Sequence, residues 1–177
     1  MNHKPWVIIV CGSESDIPVM EGAVKACEEF EIPFEIRVIS AHRAPDYLRQ
    51  ELKEWTEHGA RILIAGAGHA AHLAGMLAAH SNLPVIGVPI DSSPLHGVDA
   101  LYATVQMPPG VPVATMAVGR SGATNAGILA AQILALSEPS VRKHLSEYKE
   151  GLAEKVKQSD ARNRRGTGRP QAAATKG

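Results

Sequence analysis

The sequence predicts an α/β fold, a doubly wound parallel sheet with helices on both faces in three layers (α/β/α). Three observations predict it. Short β-branched apolar runs alternate with longer amphipathic stretches, the signature of successive βαβ units. The runs are continuously apolar and not alternating, as strands covered on both faces require. Polar or glycine-rich segments follow the first three runs directly, where the carboxyl ends of parallel strands share one edge.

Residues 6–11 (WVIIVC) form the first expected strand. GSESD at 12–16 breaks it and supplies turn and cap residues for a helix over 17–30, with Pro18 tolerated in the first turn. FEIRVI at 34–39 is the second strand. A helix then opens at Pro45 and runs to about His58, closed by Gly59. RILIA at 61–65 is the third strand, followed by a glycine-rich turn at 66–69 and a small-residue helix over 70–80. PVIGV at 84–88 is the fourth strand and 111–118 the fifth, separated by a long loop with a short helix near 98–105. A buried helix spans 122–136 by its Ala, Ile and Leu spacing. Pro139 then separates it from a more polar C-terminal helix ending near Gln158.

Right-handed crossovers leave few topologies for five such strands, and the flavodoxin-like order 2-1-3-4-5 is expected. Residues 1–158 read as one domain. Residues 159–177, rich in Arg, Gly and Ala without apolar periodicity, read as a disordered tail.

The chain has 177 residues, enough for one sizeable core, and 18 basic residues balance 18 acidic ones. That balance gives no net field for nucleic acid or an anionic membrane, so an anionic ligand must be held by local geometry. Cys11 and Cys27 form no CxxC pair and read as reduced, buried residues of a cytoplasmic protein. No apolar stretch approaches a signal sequence or membrane span.

With that strand order, the loops after strands 1, 2 and 3 converge on one pocket. GSESD at 12–16 offers backbone N–H groups and hydroxyls to a phosphate or ribose, or else simply caps a helix through Ser13 or Ser15. SAHR at 40–43 sets an imidazole that titrates near neutrality beside a guanidinium that grips phosphate or carboxylate. GAGHAAH at 66–72 lacks the spacing of a dinucleotide fingerprint, yet its small residues let backbone approach a ligand closely. His69 and His72 could share one face of a helix start, but a third metal ligand is not apparent nearby, so no metal site is assigned. His58 suits a helix C-terminus, and His80 and His96 read as surface or loop residues. No Ser-His-Asp spacing, nucleophile elbow or Walker loop is present. The residues alone therefore give a small-anion site with one candidate acid–base histidine.

Taken together, GSESD, SAHR and GAGxAAHLxGM, with PVIGVP at 84–89, GVDAL at 97–101, QMP at 106–108 and NAGILAA at 125–131, resemble the N5-carboxyaminoimidazole ribonucleotide mutases, the PurE family. The resemblance runs in order over residues 6 to 150. It implies a homo-octamer acting on a ribonucleotide without metal or organic cofactor. It implies that His42 is the general acid and base, that Ser13, Asp16 and Arg43 bind the ribonucleotide and its phosphate, and that Ser40 supports the site. Gly68, Ala70, Ala71, His72 and Leu73, in the loop and helix start after strand 3, would hold the carboxylate or released carbon dioxide. Two departures stand out: His69 where the family usually has glycine, and Ala74 where it usually has proline.

Three other readings remain open on sequence. Aminoimidazole ribonucleotide carboxylases use free carbon dioxide but typically carry Lys at the position of Arg43 and a different loop at 66–76. A paralogue related to the nickel-pincer cofactor carboxylases would act on another nucleotide. A non-catalytic nucleotide-binding module would keep the fold without turnover.

Overall fold

The computed structural model describes residues 5–165. Five strands, β1 (Val7–Cys11), β2 (Phe34–Val38), β3 (Ile62–Gly68), β4 (Val85–Ile90) and β5 (Ala114–Thr115), form one sheet of order β2-β1-β3-β4-β5. Every pairing is parallel. The helices are α1 (Ile17–Glu29), α2 (Pro45–Glu57), α3 (Leu73–His80), α4 (Val98–Val105), α5 (Arg120–Leu134) and α6 (Pro139–Asn163), with a 3-10 turn over Glu14–Asp16 before α1. The expected flavodoxin-like arrangement is the one found.

Alternate side chains of each strand serve opposite layers. Ile8, Val10, Leu63, Ala65 and Val85 pack with Leu48, Leu52 and Trp55 of α2 and Leu73, Ala74 and Leu77 of α3. The other face carries α1 and α5, which cross each other closely. A small residue sets that approach: a Cβ on Gly127 would come within 2.6 Å of the Ala26 Cβ. The crossing exists because both helices present Ala and Gly where they meet.

The chain divides into two compact units, one ending at Leu145 and the other starting at Ser146. The sheet and α1–α5 belong to the first. The second, by itself, is the continuation of α6 to Asn163. Residues 159–163, read from sequence as part of a tail, are thus helical; the tail from 166 onward lies outside the described residues.

Three expectations about element ends need correction. The glycine-rich segment at 66–68 is not a turn but the end of β3, whose Gly66 to Gly68 pair with Val88 to Ile90 of β4. Pairing with β4 along all three residues, and with β1 at Gly66 as well, outweighs the poor strand propensity of glycine. Next, β5 is two residues long and not eight: Pro112 has no N–H to give, and the chain after Thr115 bonds β4 irregularly, Met116 N–H to Gly87 O at 2.8 Å. Finally, α3 begins at Leu73 and not at residue 70, because His69 has φ of 54° and cannot enter a right-handed helix.

Buried Cys11 and Cys27 are free, and burial pushes both thiols up to about 12. They stay protonated and unreactive at neutral pH.

Candidate active site

The carboxyl ends of β1 to β4 open on a cavity of about 400 Å³. Gly12, Ser13, Ser15 and Asp16 line it from the turn after β1, and Ser40, Ala41 and His42 from the loop after β2. Ala67, Gly68, His69, Ala70, His72 and Leu73 close the third side, and Ser92 reaches in after β4. Two larger hollows lie elsewhere, one of about 780 Å³ lined by residues leading into β4 and β5 and one of about 450 Å³ between α2 and residues 80–83. They sit away from the carboxyl edge, and size does not decide between them and the cavity where the histidines gather.

Ser13, Asp16, Ser40, His42, Gly68, Ala70, His72 and Leu73 all meet on these walls. Ala71, 2% exposed, is buried behind the wall. Arg43 is not on the wall: it is exposed, and its backbone N–H donates to Ser40 Oγ at 3.3 Å. Ser15, His69 and Ser92 are lining residues that sequence reasoning did not assign. Ser92 had a usable signal, since it follows a parallel strand at the same edge as the assigned loops.

The central contact joins two loops across β1. His42 Nε2 lies 2.8 Å from His72 Nδ1, with ring centroids 4.9 Å apart and planes at 66°. One nitrogen donates and the other accepts, so the contact holds one proton between two imidazoles. It sets two proton-carrying rings against each other without a metal or a carboxylate partner. Among the described residues no group of three or more His, Cys, Asp and Glu is placed to hold a metal ion.

Asp16 is 5% exposed, and its Oδ2 accepts the Ser13 N–H at 3.0 Å. Burial raises its carboxyl above the ordinary 3.8, while the Ser13 bond and the charge of His69 pull the other way. A raised folded pKa means that ionising Asp16 opposes folding. That penalty is complete above the folded pKa and vanishes below 3.8, where both states are protonated. Asp16→Asn is therefore expected to melt higher than the parent at neutral pH, the gain shrinking as pH falls through the raised folded pKa and gone below 3.8. Paired thermal scans across pH check it, and a variant less stable than the parent at pH 7 refutes it.

A family model described as AIR carboxylase matches residues 6–155. The chain belongs to the AIR carboxylase family. Within the AIR carboxylases it is 51% identical over 152 residues to the N5-carboxyaminoimidazole ribonucleotide mutase of Thermotoga maritima, covering 86% of this chain and 88% of that one. It is 47% identical to the mutase of Bacillus subtilis, over 88% and 96% of the two chains. A crystal structure of Treponema denticola PurE superposes with a TM-score of 0.83 at 29% identity, covering 91% of this chain and 99% of that one. No helix among the described residues is long and apolar enough to cross a membrane.

Proposed function

We propose that this AIR carboxylase relative converts N5-carboxyaminoimidazole ribonucleotide to 4-carboxy-5-aminoimidazole ribonucleotide in purine biosynthesis. The observation that carries the reading is the His42–His72 contact inside a strand-end cavity, in a chain half identical to curated mutases.

The chemistry needs one group that is first an acid and then a base. The carbamate N–C bond breaks, carbon dioxide leaves, and imidazolium His42 gives its proton to the exocyclic nitrogen. The ring C4 then attacks the confined carbon dioxide, forming the new C–C bond. Neutral His42 removes the C4 proton, which restores both the aromatic ring and the imidazolium. Protons balance over the cycle, and no redox step or covalent enzyme intermediate is required. Histidine alone has an unperturbed pKa suited to both halves near neutral pH. Confinement makes recapture intramolecular, worth orders of magnitude in effective concentration.

In this reading Ser13, Asp16 and Ser40 bind and orient the ribonucleotide, with Arg43 at the β2 side of the mouth for the phosphate. Gly68, Ala70, Ala71 and Leu73 shape the carbon dioxide pocket, and His72 holds the partner nitrogen of His42. We also read the enzyme as a cytoplasmic homo-octamer, on the strength of the family resemblance.

The test is turnover of the carbamate by purified protein, without bicarbonate or nucleoside triphosphate. Formation of the C4-carboxylated product is expected. Product only from the decarboxylated ribonucleotide with high bicarbonate would make the protein a carboxylase instead.

A further inference from the structure

His69 is the one cavity residue whose backbone is unsuited to its side chain. Its φ of 54° lies in the left-handed region, where a β-carbon crowds the following carbonyl and glycine sits without penalty. Strain of this kind persists where surrounding structure enforces it, and it clusters at functional sites.

The ring leaves its loop toward β4. His69 Nδ1 lies 3.2 Å from Ser92 Oγ. Ser92 is itself wedged in place, since a Cβ on Gly68 would overlap its hydroxyl. With Nδ1 engaged, Nε2 is the nitrogen left to meet a ligand. The charged and titratable groups around the ring are Asp16 from the turn after β1 and Asp99 from α4, both of which feel its charge, with His42 and His72 on the same cavity walls.

The sheet order fixes a sequence of groups along the mouth. Arg43 follows β2, His42 and His72 meet above β1, and His69 with Ser92 stands over β3 and β4. The substrate has two anionic groups, a phosphate and a carboxylate, and Arg43, exposed and off the wall, follows the strand on the other side of β1 from His69. A phosphate dianion at the His69 end would lie beside two aspartates, Asp16 and Asp99. The carboxylate must lie within reach of His42, whose partner His72 is three residues from His69. We propose that His69, its ring oriented by Ser92, is a substrate-binding residue that donates from Nε2 to the migrating carboxylate, so that this enzyme discriminates carboxylated from decarboxylated ribonucleotide. This rests on the mutase reading.

The experiment compares the full-length parent with His69→Gly and His69→Asn. Glycine relieves the backbone, and asparagine tolerates the left-handed region while carrying no charge. Titration calorimetry measures binding of 4-carboxy-5-aminoimidazole ribonucleotide and of decarboxylated 5-aminoimidazole ribonucleotide. Both variants are expected to bind the carboxylated ligand roughly tenfold more weakly, as loss of a hydrogen bond to a carboxylate implies. Their affinity for the decarboxylated ligand should stay within about twofold. A merely structural role would move both ligands together. A parent that turns over the carbamate while its variants treat both ligands alike overturns the His69 proposal alone. A parent that neither turns over nor binds the carboxylated ligand overturns the mutase reading and this proposal with it.

Discussion

Replacing His42 by asparagine is expected to lower kcat by about a thousandfold while leaving ribonucleotide binding within a few-fold. Asparagine ends where the ring's δ atoms lie, so it gives up the 2.8 Å contact of Nε2 with His72 Nδ1, and it cannot take up or release a proton near neutral pH. Both proton transfers of the cycle are lost, whereas Ser13, Asp16 and the β3 loop remain to bind the ligand. His42 is exposed and lies outside the core cluster, so melting should change by no more than about 0.5 kcal/mol in stability. The measurement is kcat by product formation beside Kd by calorimetry. A kcat within tenfold of the parent would remove His42 as the proton shuttle. A large loss in kcat matched by an equal loss in binding would assign it to ligand positioning instead.

The sheet order, the placement of the helices and the meeting of three loops were legible because each rests on strong local signals. Continuous β-branched runs mark buried parallel strands, and right-handed crossover then dictates which loops share an edge. His42 stood out because a histidine beside an arginine is unnecessary for a strand end or turn, whereas Ser13 and Asp16 read equally as helix-cap residues and came forward as binding residues only through the resemblance. What stayed hidden was set by tertiary contact. Gly66 to Gly68 continue β3 only because β4 lies alongside to complete the ladder, and no propensity scale contains β4. The His42–His72 contact links residues thirty apart through a β1 crossing, which spacing cannot reveal. Arg43 was read with His42 as one unit, yet neighbours at a strand end point different ways, and only His42 reaches the wall. Ser92 was lost inside a segment read as a long connection. His69 was noticed as a departure from glycine, but its left-handed backbone and its Ser92 partner had to be seen.

Ile64→Ala is expected to destabilise the protein by about 4 kcal/mol, the upper part of the range for isoleucine truncation in a core. In parallel strands, residues in register point to the same face, and Ile36, Ile9, Ile64 and Ile86 form such a row across β2, β1, β3 and β4. Ile9, Ile64 and Ile86 are each 0% exposed. Because Leu63 and Ala65 face α2 and α3, Ile64 points to the opposite layer, beneath α1 and α5. The cavity left by truncation cannot readily collapse. The β3 backbone is held by ladders to both β1 and β4, and α1 and α5 are already locked against each other through Gly127. At about 2–4 °C per kcal/mol for a chain of this size, Tm should fall by roughly 8–16 °C at fixed protein concentration. Ile64→Val, which removes a single methylene, should cost only about 1 kcal/mol. Thermal and urea melts of the pair decide the matter, since an alanine variant no weaker than valine would mean that the sheet relaxes into the gap. The site gives a second reading of the same change. The turn after β1, the β3 loop and Ser92 all ride on strands of this row, so kcat measured well below Tm should hold if the ladders keep those strand ends in place. A loss of activity before any loss of fold would show that the row of isoleucines also sets the spacing between His42 and His72.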